Sequence, residues 1–119
     1  MITCGDITRG FEAAVETGAS CLVSPVTDTI KRVDGRYLVK TIDRDMLRAA
    51  VTPQTFRLAL IKEAFQKTAP GESFTDECAL LERFGHKIVA VEGRRDNIKI
   101  TVPEDLDFVR RAIEEESDG

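Results

Sequence analysis

Five polar residues fall at the predicted ends of helices and strands, where side chains and free backbone groups can meet a ligand. They comprise three hydroxyls, a guanidinium and an ammonium: Thr29, Thr52, Thr75, Arg44 and Lys99. Cationic side chains bind phosphate through charge-assisted hydrogen bonds, and helix N-termini favour negative charge. Threonine hydroxyls beside such ends suit phosphate or polyol oxygens. The set therefore predicts a phosphate-and-polyol pocket at the carboxyl edge of a parallel sheet.

Lys99 lies in the most informative part of the chain. Isoleucines flank it, so we expect it on a short strand over residues 97–100. Thr101 and Glu104 have the spacing of a capping box for a helix over 104–113. A lysine that leads into a helix N-terminus is suitably placed for a phosphate, although an ordinary exposed strand lysine fits the same pattern.

The other polar residues also have purely structural interpretations. Thr52 fits the N-cap of a helix over 53–67, and Thr75 precedes a helix predicted over 76–84. Arg44 follows an aspartate and could form a surface ion pair worth about 0–1 kcal/mol. One hydroxyl can both cap a helix and bind a ligand, so these interpretations do not exclude the pocket.

The elements that must position these residues alternate between helices and strands, which predicts an α/β fold. In chain order we expect a helix over 2–17 ending at Gly18, strands over 20–26 and 47–51, the helices over 53–67 and 76–84, and a strand over 87–91. The segment 20–26 is apolar nearly throughout, as in a strand buried on both faces of a parallel sheet. A helix followed by such a strand is half of a βαβ unit, whose first strand we expect to precede Met1.

Residues 27–41 predict a hairpin that projects from the body. Asp34-Gly35 is typical of a type I′ turn. The two legs are more polar than those of a core hairpin because they carry Lys31, Arg32, Arg36 and Lys40. Projecting arms commonly pair with a partner chain.

Composition narrows the function classes. A chain of 119 residues with 42% hydrophobic and 32% charged residues predicts one soluble domain, and a net charge of -4 gives no broad attraction for nucleic acid. No apolar run approaches a membrane span and no signal peptide is evident, so we expect a cytoplasmic protein without membrane contact. Cys4, Cys21 and Cys78 are far apart and predict reduced structural thiols and no metal site. The single histidine, His86, fits a helix C-terminus or turn better than a catalytic role.

Four motifs resemble one enzyme family. They are D-T-x-K-R from Asp28 with D-R at Asp43, T-P-Q-T-F from Thr52, F-T-D-E from Phe74 with E-R-x-G from Glu82, and N-I-K-I-T-x-P-E-D-L from Asn97. Together they resemble the 2-C-methyl-D-erythritol 4-phosphate cytidylyltransferases of the non-mevalonate isoprenoid pathway. The resemblance covers essentially the whole chain but only about the C-terminal half of a family member. It implies the C-terminal part of a Rossmann-like nucleotidyltransferase sheet with a projecting β-hairpin arm.

The resemblance also implies a reaction and residue roles. In that family the phosphate of the acceptor attacks the α-phosphorus of CTP and releases pyrophosphate, with Mg²⁺ bridging the nucleotide phosphates. By carry-over, Lys99 and Arg44 are the catalytic residues that hold the attacking phosphate. Thr29, Thr52 and Thr75 would bind the phosphate or polyol. The arm, residues 27–44, would join two subunits of a homodimer, so that Arg44 reaches into the neighbouring site.

One departure from the family limits what this chain does alone. Family members begin with a glycine-rich loop that cradles the triphosphate, together with an aspartate that helps to hold the metal. No two glycines of this chain lie within three positions of each other. We therefore expect residues 1–119 to form a single partial domain, inactive alone, with the CTP site and the Mg²⁺ ligands elsewhere. The alternatives are a cytidylyltransferase for ribitol phosphate or a related polyol phosphate, and a non-catalytic dimerisation module.

Overall fold

A central three-stranded sheet with helices packed against it carries most of the buried surface. The computed structural model describes residues 2–94 and 97–118, and only part of the charged loop expected at 94–96 falls within them. The elements in chain order are α1 (Cys4–Thr17), β1 (Ala19–Pro25), β2 (Ile30–Asp34), β3 (Tyr37–Ile42), a 3₁₀ turn (Arg44–Met46), β4 (Arg48–Phe56), α2 (Leu58–Lys67), α3 (Glu77–Arg83), β5 (Val89–Glu92) and α4 (Pro103–Asp118). The α/β fold is confirmed.

Strand β1 forms the middle of the sheet, whose order is β4-β1-β5. It runs parallel to β5, with Ser20 opposite Val89, but antiparallel to β4, with Ala19 opposite Phe56. The expectation of a purely parallel sheet is therefore wrong on one side. Residues 19–24 are all buried because sheet neighbours and helices cover β1 from several sides.

Helix α1 ends where the sequence predicts, but it begins at Cys4, two residues after the predicted start. Thr3 and Asp6 form a capping box, in which Asp6 N donates to Thr3 Oγ1 (3.1 Å) and Thr3 N donates to Asp6 Oδ2 (2.9 Å). Gly18 ends the helix with a φ of 91°, a left-handed conformation that glycine adopts at little cost. Ser20 Oγ then donates to Gly10 O at 2.6 Å, which fixes α1 against β1.

The core lies where α2 and α3 pack on β1. Its fully buried members are Ala19, Ala64, Leu80 and Leu81. Full burial of a leucine side chain stabilises the fold by roughly 1.5–3 kcal/mol. This packing fixes the start of α3 beside the sheet.

Strand β4 differs most from the prediction. It continues to Phe56 through a cis Thr52–Pro53 peptide, so the predicted strand end at 51 and helix start at 53 are wrong. Opposite β1 the register shifts from Cys21–Gln54 to Val23–Ala50, which leaves residues 51–53 as a bulge. Pro53 has no N–H for the ladder, and a bulge accommodates it without an unsatisfied partner. Helix α2 starts later, at Leu58.

Strands β2 and β3 form the predicted hairpin as a separate two-stranded sheet. Asp34 pairs with Tyr37, so the two turn residues are Gly35 and Arg36 rather than Asp34 and Gly35. Of these two turn residues, the first, Gly35, has a positive φ (59°) and Arg36 does not, which is the pattern of a type II′ turn. The predicted type I′ turn is therefore wrong.

Helix α3 ends as a Schellman motif. His86 N donates to Leu81 O (3.1 Å), Gly85 N donates to Glu82 O (3.0 Å), and Gly85 has a φ of 79°. This confirms the placing of His86 at a helix end. None of the described helices combines the length and apolar character needed to cross a membrane.

Candidate functional site

One cavity brings together three of the five predicted site residues. Its volume is about 620 Å³, and it lies between β4, the start of α3 and the segment 97–99. Thr52, Thr75 and Lys99 all line it, beside Gln54, Asp76, Glu77, Asn97 and several apolar residues. Lys99 gives this cavity one cation for a phosphate, and its threonine, amide and carboxylate side chains can hydrogen-bond the hydroxyls of a polyol.

Thr52 lies in the β4 bulge and not at a helix N-cap. Its carbonyl oxygen accepts a hydrogen bond from Asn97 Nδ2 at 2.7 Å. This bond ties the segment that carries Lys99 to the strand that carries Thr52. The bulge therefore places two groups of Thr52 at the cavity: its hydroxyl, and the carbonyl that holds the segment 97–99.

Lys99 belongs to an irregular segment, so the predicted strand over 97–100 is wrong. The predicted capping box is also wrong, because Asp105 and not Glu104 caps α4. The Asp105 carboxylate accepts from Thr101 N (2.9 Å) and Val102 N (3.1 Å), and these bonds hold its pKa below the usual value. Lys99 is exposed and forms no ion pair with any residue that the structure describes.

Thr75 does not cap α3 either. Asp76 is the N-cap, with Oδ1 accepting from Ala79 N at 2.8 Å and Oδ2 accepting from Gln54 Nε2 at 3.1 Å. Because Asp76 satisfies the helix end, the Thr75 hydroxyl is not required there. It remains at the cavity wall beside the first turn of α3.

Gln54, Asp76 and Asn97 are cavity residues that the sequence analysis did not select. The sequence pattern predicts a helix at Gln54, whereas its place on β4 opposite Cys21 brings its amide to Asp76 and Cys78. Asn97 lies in the same motif as Lys99. An amide two residues before the lysine is a sequence signal from which Asn97 can be predicted as a cavity residue. Asp76 lies in the F-T-D-E motif directly after Thr75, but its contact with Gln54 depends on the position of β4.

Arg44 and Thr29 do not line this cavity. Arg44 starts the 3₁₀ turn below the hairpin, and its Nη1 donates to Thr27 O at 2.7 Å. The neighbouring Asp43 accepts from Asp45 N (3.0 Å) instead of pairing with Arg44. Thr29 is exposed between β1 and β2. Within one chain, the five predicted residues thus divide between the cavity and the base of the hairpin.

A metal has no evident binding site in the described part of the chain. No group of three or more histidine, cysteine, aspartate or glutamate residues is arranged there to hold an ion. The carboxylate of Asp76 is already occupied by two hydrogen bonds. We therefore assign no chemical step to a metal held by these residues.

Comparison with known proteins agrees with the motifs. Residues 1–115 match the model of the family described as "IspD: 2-C-methyl-D-erythritol 4-phosphate cytidylyltransferase". The enzyme of that name from Halalkalibacterium halodurans is 43% identical over 116 residues, which cover 97% of this chain and 51% of the relative. The one from Rubrobacter xylanophilus is 50% identical over 98 residues, covering 78% and 42%.

Solved structures agree as well. The Thermus thermophilus 2-C-methyl-D-erythritol 4-phosphate cytidylyltransferase superposes with a TM-score of 0.82 at 31% identity, over 96% of this chain and 57% of that one. The Anaerococcus prevotii 4-diphosphocytidyl-2C-methyl-D-erythritol synthase gives 0.81 at 30% identity, over 91% and 51%. The chain thus spans about half the length of the relatives it matches, with the same nucleotidyltransferase-like fold. It belongs to the 2-C-methyl-D-erythritol 4-phosphate cytidylyltransferase family.

Proposed function

We propose that this chain supplies the acceptor-binding half of an enzyme that transfers CMP from CTP to 2-C-methyl-D-erythritol 4-phosphate. The observation that carries the proposal is the convergence of Thr52, Thr75 and Lys99 on one cavity in a member of that family. Because the chain carries the family's N-I-K-I-T motif but no glycine-rich loop, residues 1–119 correspond to the C-terminal part of the complete enzyme. We call the polypeptide that spans the full length of the relatives the complete enzyme.

The cavity residues suit the acceptor phosphate and its polyol. The Lys99 ammonium is not neutralised by a described residue, so it can pair with a phosphate oxygen. The Thr52 and Thr75 hydroxyls can donate to the remaining phosphate or hydroxyl oxygens. An acceptor-phosphate oxygen attacks the α-phosphorus, a new P–O bond forms, the bond to the β-phosphate oxygen breaks, and pyrophosphate leaves. The nucleophile is already an anion, so positioning and charge stabilisation suffice.

Nucleotide and metal binding belong to the other half of the complete enzyme in this proposal. A cytidylyltransferase family is consistent with a divalent metal requirement. We assign Mg²⁺, its ligands and the triphosphate-binding loop to residues outside the chain, since the described acidic side chains form no three-ligand group. CTP should therefore require the complete enzyme.

The hairpin arm, residues 27–44, is proposed to contact a second copy of the chain. Its strands form a sheet of their own, and Val33, Tyr37 and Leu38 expose 61%, 69% and 68% of their surface. Large apolar side chains clustered on a projecting hairpin favour a protein partner. A second copy fits because Arg44, at the base of the arm, could then complete the neighbouring cavity. Thr29 would reach that cavity in the same way.

Isothermal titration tests the acceptor site directly. The chain, checked for folding by circular dichroism, is titrated with 2-C-methyl-D-erythritol 4-phosphate and separately with CTP plus Mg²⁺. We expect acceptor binding that Lys99→Ala weakens at least tenfold, and no CTP binding. Lys62→Ala, an exposed lysine on α2, is the matched control. A folded chain that ignores the acceptor, or that binds CTP, would contradict the proposal.

Mixed dimers of the complete enzyme test the shared site. Arg44→Ala subunits are combined with Lys99→Ala subunits, each nearly inactive alone. If Arg44 acts on the neighbouring cavity, one site of the mixed dimer keeps both residues and activity partly returns. Activity no higher than that of the separate variants would argue against sharing.

A further inference from the structure

Two buried cysteines lie together on the face of the sheet that α3 covers. Cys21 is on β1 and Cys78 is in the first turn of α3, each with 5% of its surface exposed. Together with Val23 they form one packed cluster. Gln54 links them, because it is the cross-strand partner of Cys21 and its Oε1 accepts from Cys78 Sγ at 3.3 Å. Cross-strand partners project their side chains on the same face of a sheet.

The two thiols line a second cavity, of about 340 Å³, which adjoins the acceptor cavity. Ala50, Thr75 and Asp76 line both cavities. A small molecule of a few heavy atoms therefore has room beside the thiols, although both belong to the core. Cys4 is exposed at the start of α1 and provides an internal comparison.

The two thiols also differ in acidity. A hydrogen bond with Cys78 lowers the pKa of Cys21, against the opposing effects of burial and of the Asp76 charge. The same bond, together with burial and the Asp76 and Glu82 charges, raises the pKa of Cys78. Cys21 is thus the thiol that ionises first, and a thiolate is the form that attacks disulfides.

We propose that Cys21 and Cys78 form a dithiol modification site that reacts with a low-molecular-weight disulfide to give an intramolecular Cys21–Cys78 disulfide. The Cys21 thiolate attacks one sulfur of the small disulfide, forming a mixed disulfide and releasing one small thiolate, which takes up a proton. Cys78 then loses its proton to solvent and attacks Cys21 Sγ, and the second small thiolate leaves and is protonated. The protein pair is oxidised by two electrons, and the small disulfide is reduced to two thiols.

The modification has a consequence for the acceptor cavity, and this part rests on the proposed function. Once Cys78 is bonded to sulfur, it has no proton to donate to Gln54 Oε1. Gln54 then keeps only its bond to Asp76 and is held less firmly at the cavity wall. The disulfide form should bind the acceptor about two- to threefold more weakly, because a thiol is a weak donor and the lost bond acts on the acceptor only through Gln54.

Mass spectrometry of the native protein tests the site without any substrate. After incubation with excess bis(2-hydroxyethyl) disulfide, we expect a loss of about two mass units per bridge and a peptide linking Cys21 to Cys78. Cys78→Ala should stop at a stable mixed disulfide on Cys21, whereas Cys4→Ser should leave the bridge unchanged. Persistent mixed disulfides on both residues of the unmodified protein, a bridge that includes Cys4, or reaction at Cys4 alone would each overturn the proposal.

Titration of the reduced and the disulfide-bridged forms with acceptor tests the effect on the acceptor cavity separately from the dithiol site itself. A bridge that forms without change in affinity would overturn the link through Gln54. If even the reduced protein ignores the acceptor, the proposed function fails while the mass measurement still supports the dithiol site. A reductant should restore the affinity of the bridged form.

Discussion

The hydrogen bond between Asn97 Nδ2 and Thr52 O holds the segment that carries Lys99 against β4. Replacing Asn97 by alanine removes the donor at 2.7 Å and leaves the Thr52 carbonyl open to water. Both residues are partly or fully exposed to solvent, so no buried polar group is left unsatisfied. The loss should therefore equal the net value of one hydrogen bond, about 1 kcal/mol. Since 1.4 kcal/mol is a factor of ten, kcat/KM of the complete enzyme should fall about fivefold.

The expected order of effects follows from the geometry. Lys99→Ala removes the charge itself and should lower kcat/KM by about 10²-fold or more. Asn97→Asp keeps the shape but places a carboxylate against a carbonyl oxygen, so it should be worse than Asn97→Ala. Gln66→Ala, an exposed amide on α2, should change nothing.

Steady-state kinetics at saturating CTP, with acceptor varied, supply the assay. A double-mutant cycle then asks whether Asn97 acts through Lys99. If it does, Asn97→Ala should cost little further activity in a Lys99→Ala background. Effects that add in full, or an Asn97→Ala enzyme with unchanged kcat/KM, would refute the positioning role.

Three further predictions concern stability, measured by urea unfolding. Gly93→Ala should lower the free energy of unfolding by about 1–3 kcal/mol, because its Cβ would lie 3.0 Å from Cδ2 of the fully buried Leu22. Gly10→Ala should leave the free energy of unfolding unchanged or raise it, because the new Cβ would lie 3.6 Å from its nearest neighbour and alanine favours the helix. Equal losses of stability in the two glycine variants would contradict this reasoning. The hydrogen bond that Asp6 accepts from Thr3 N lowers the pKa of the Asp6 carboxyl below 3.8. The ionised carboxylate therefore stabilises the folded protein above pH 3.8, and this contribution is lost as the pH falls further. Asp6→Asn should reduce this loss of stability at low pH. If the free energy of unfolding of the variant fell with pH as steeply as that of the unmodified protein, the role assigned to Asp6 would be contradicted.

Local sequence signals predicted the elements that depend on local interactions. Gly18 ends the predicted first helix in a left-handed conformation, and His86 lies at the end of a helix as predicted. The hairpin follows from the glycine between two extended legs, although the turn type depends on register. Each of these features is decided within a few residues, so propensity and capping rules suffice.

Features that depend on distant strands were mispredicted. Thr52-Pro53 has the local pattern of a helix start, but pairing with β1 holds the segment extended and the bulge accommodates the proline. The same pairing brings Gln54 to Asp76, a contact between residues that no local pattern relates. Lys99 lines the same cavity as Thr52 and Thr75 even though its segment is irregular. Its place is fixed by Asn97 and by Asp105, which caps α4.

The position of β1 in the sheet also determines the order in which the chain can fold. The strand is buried over 19–24, yet its partners are β4 and β5, which the ribosome makes much later. The β2–β3 hairpin joins strands that are adjacent in sequence, so it can form as soon as both are synthesised. The pairing of Ser20 with Val89 can form only after β5 has been synthesised. Non-local pairing is slow, and unpaired apolar strands promote aggregation while they remain exposed. Emerging chains should therefore depend on chaperones until β5 has been synthesised.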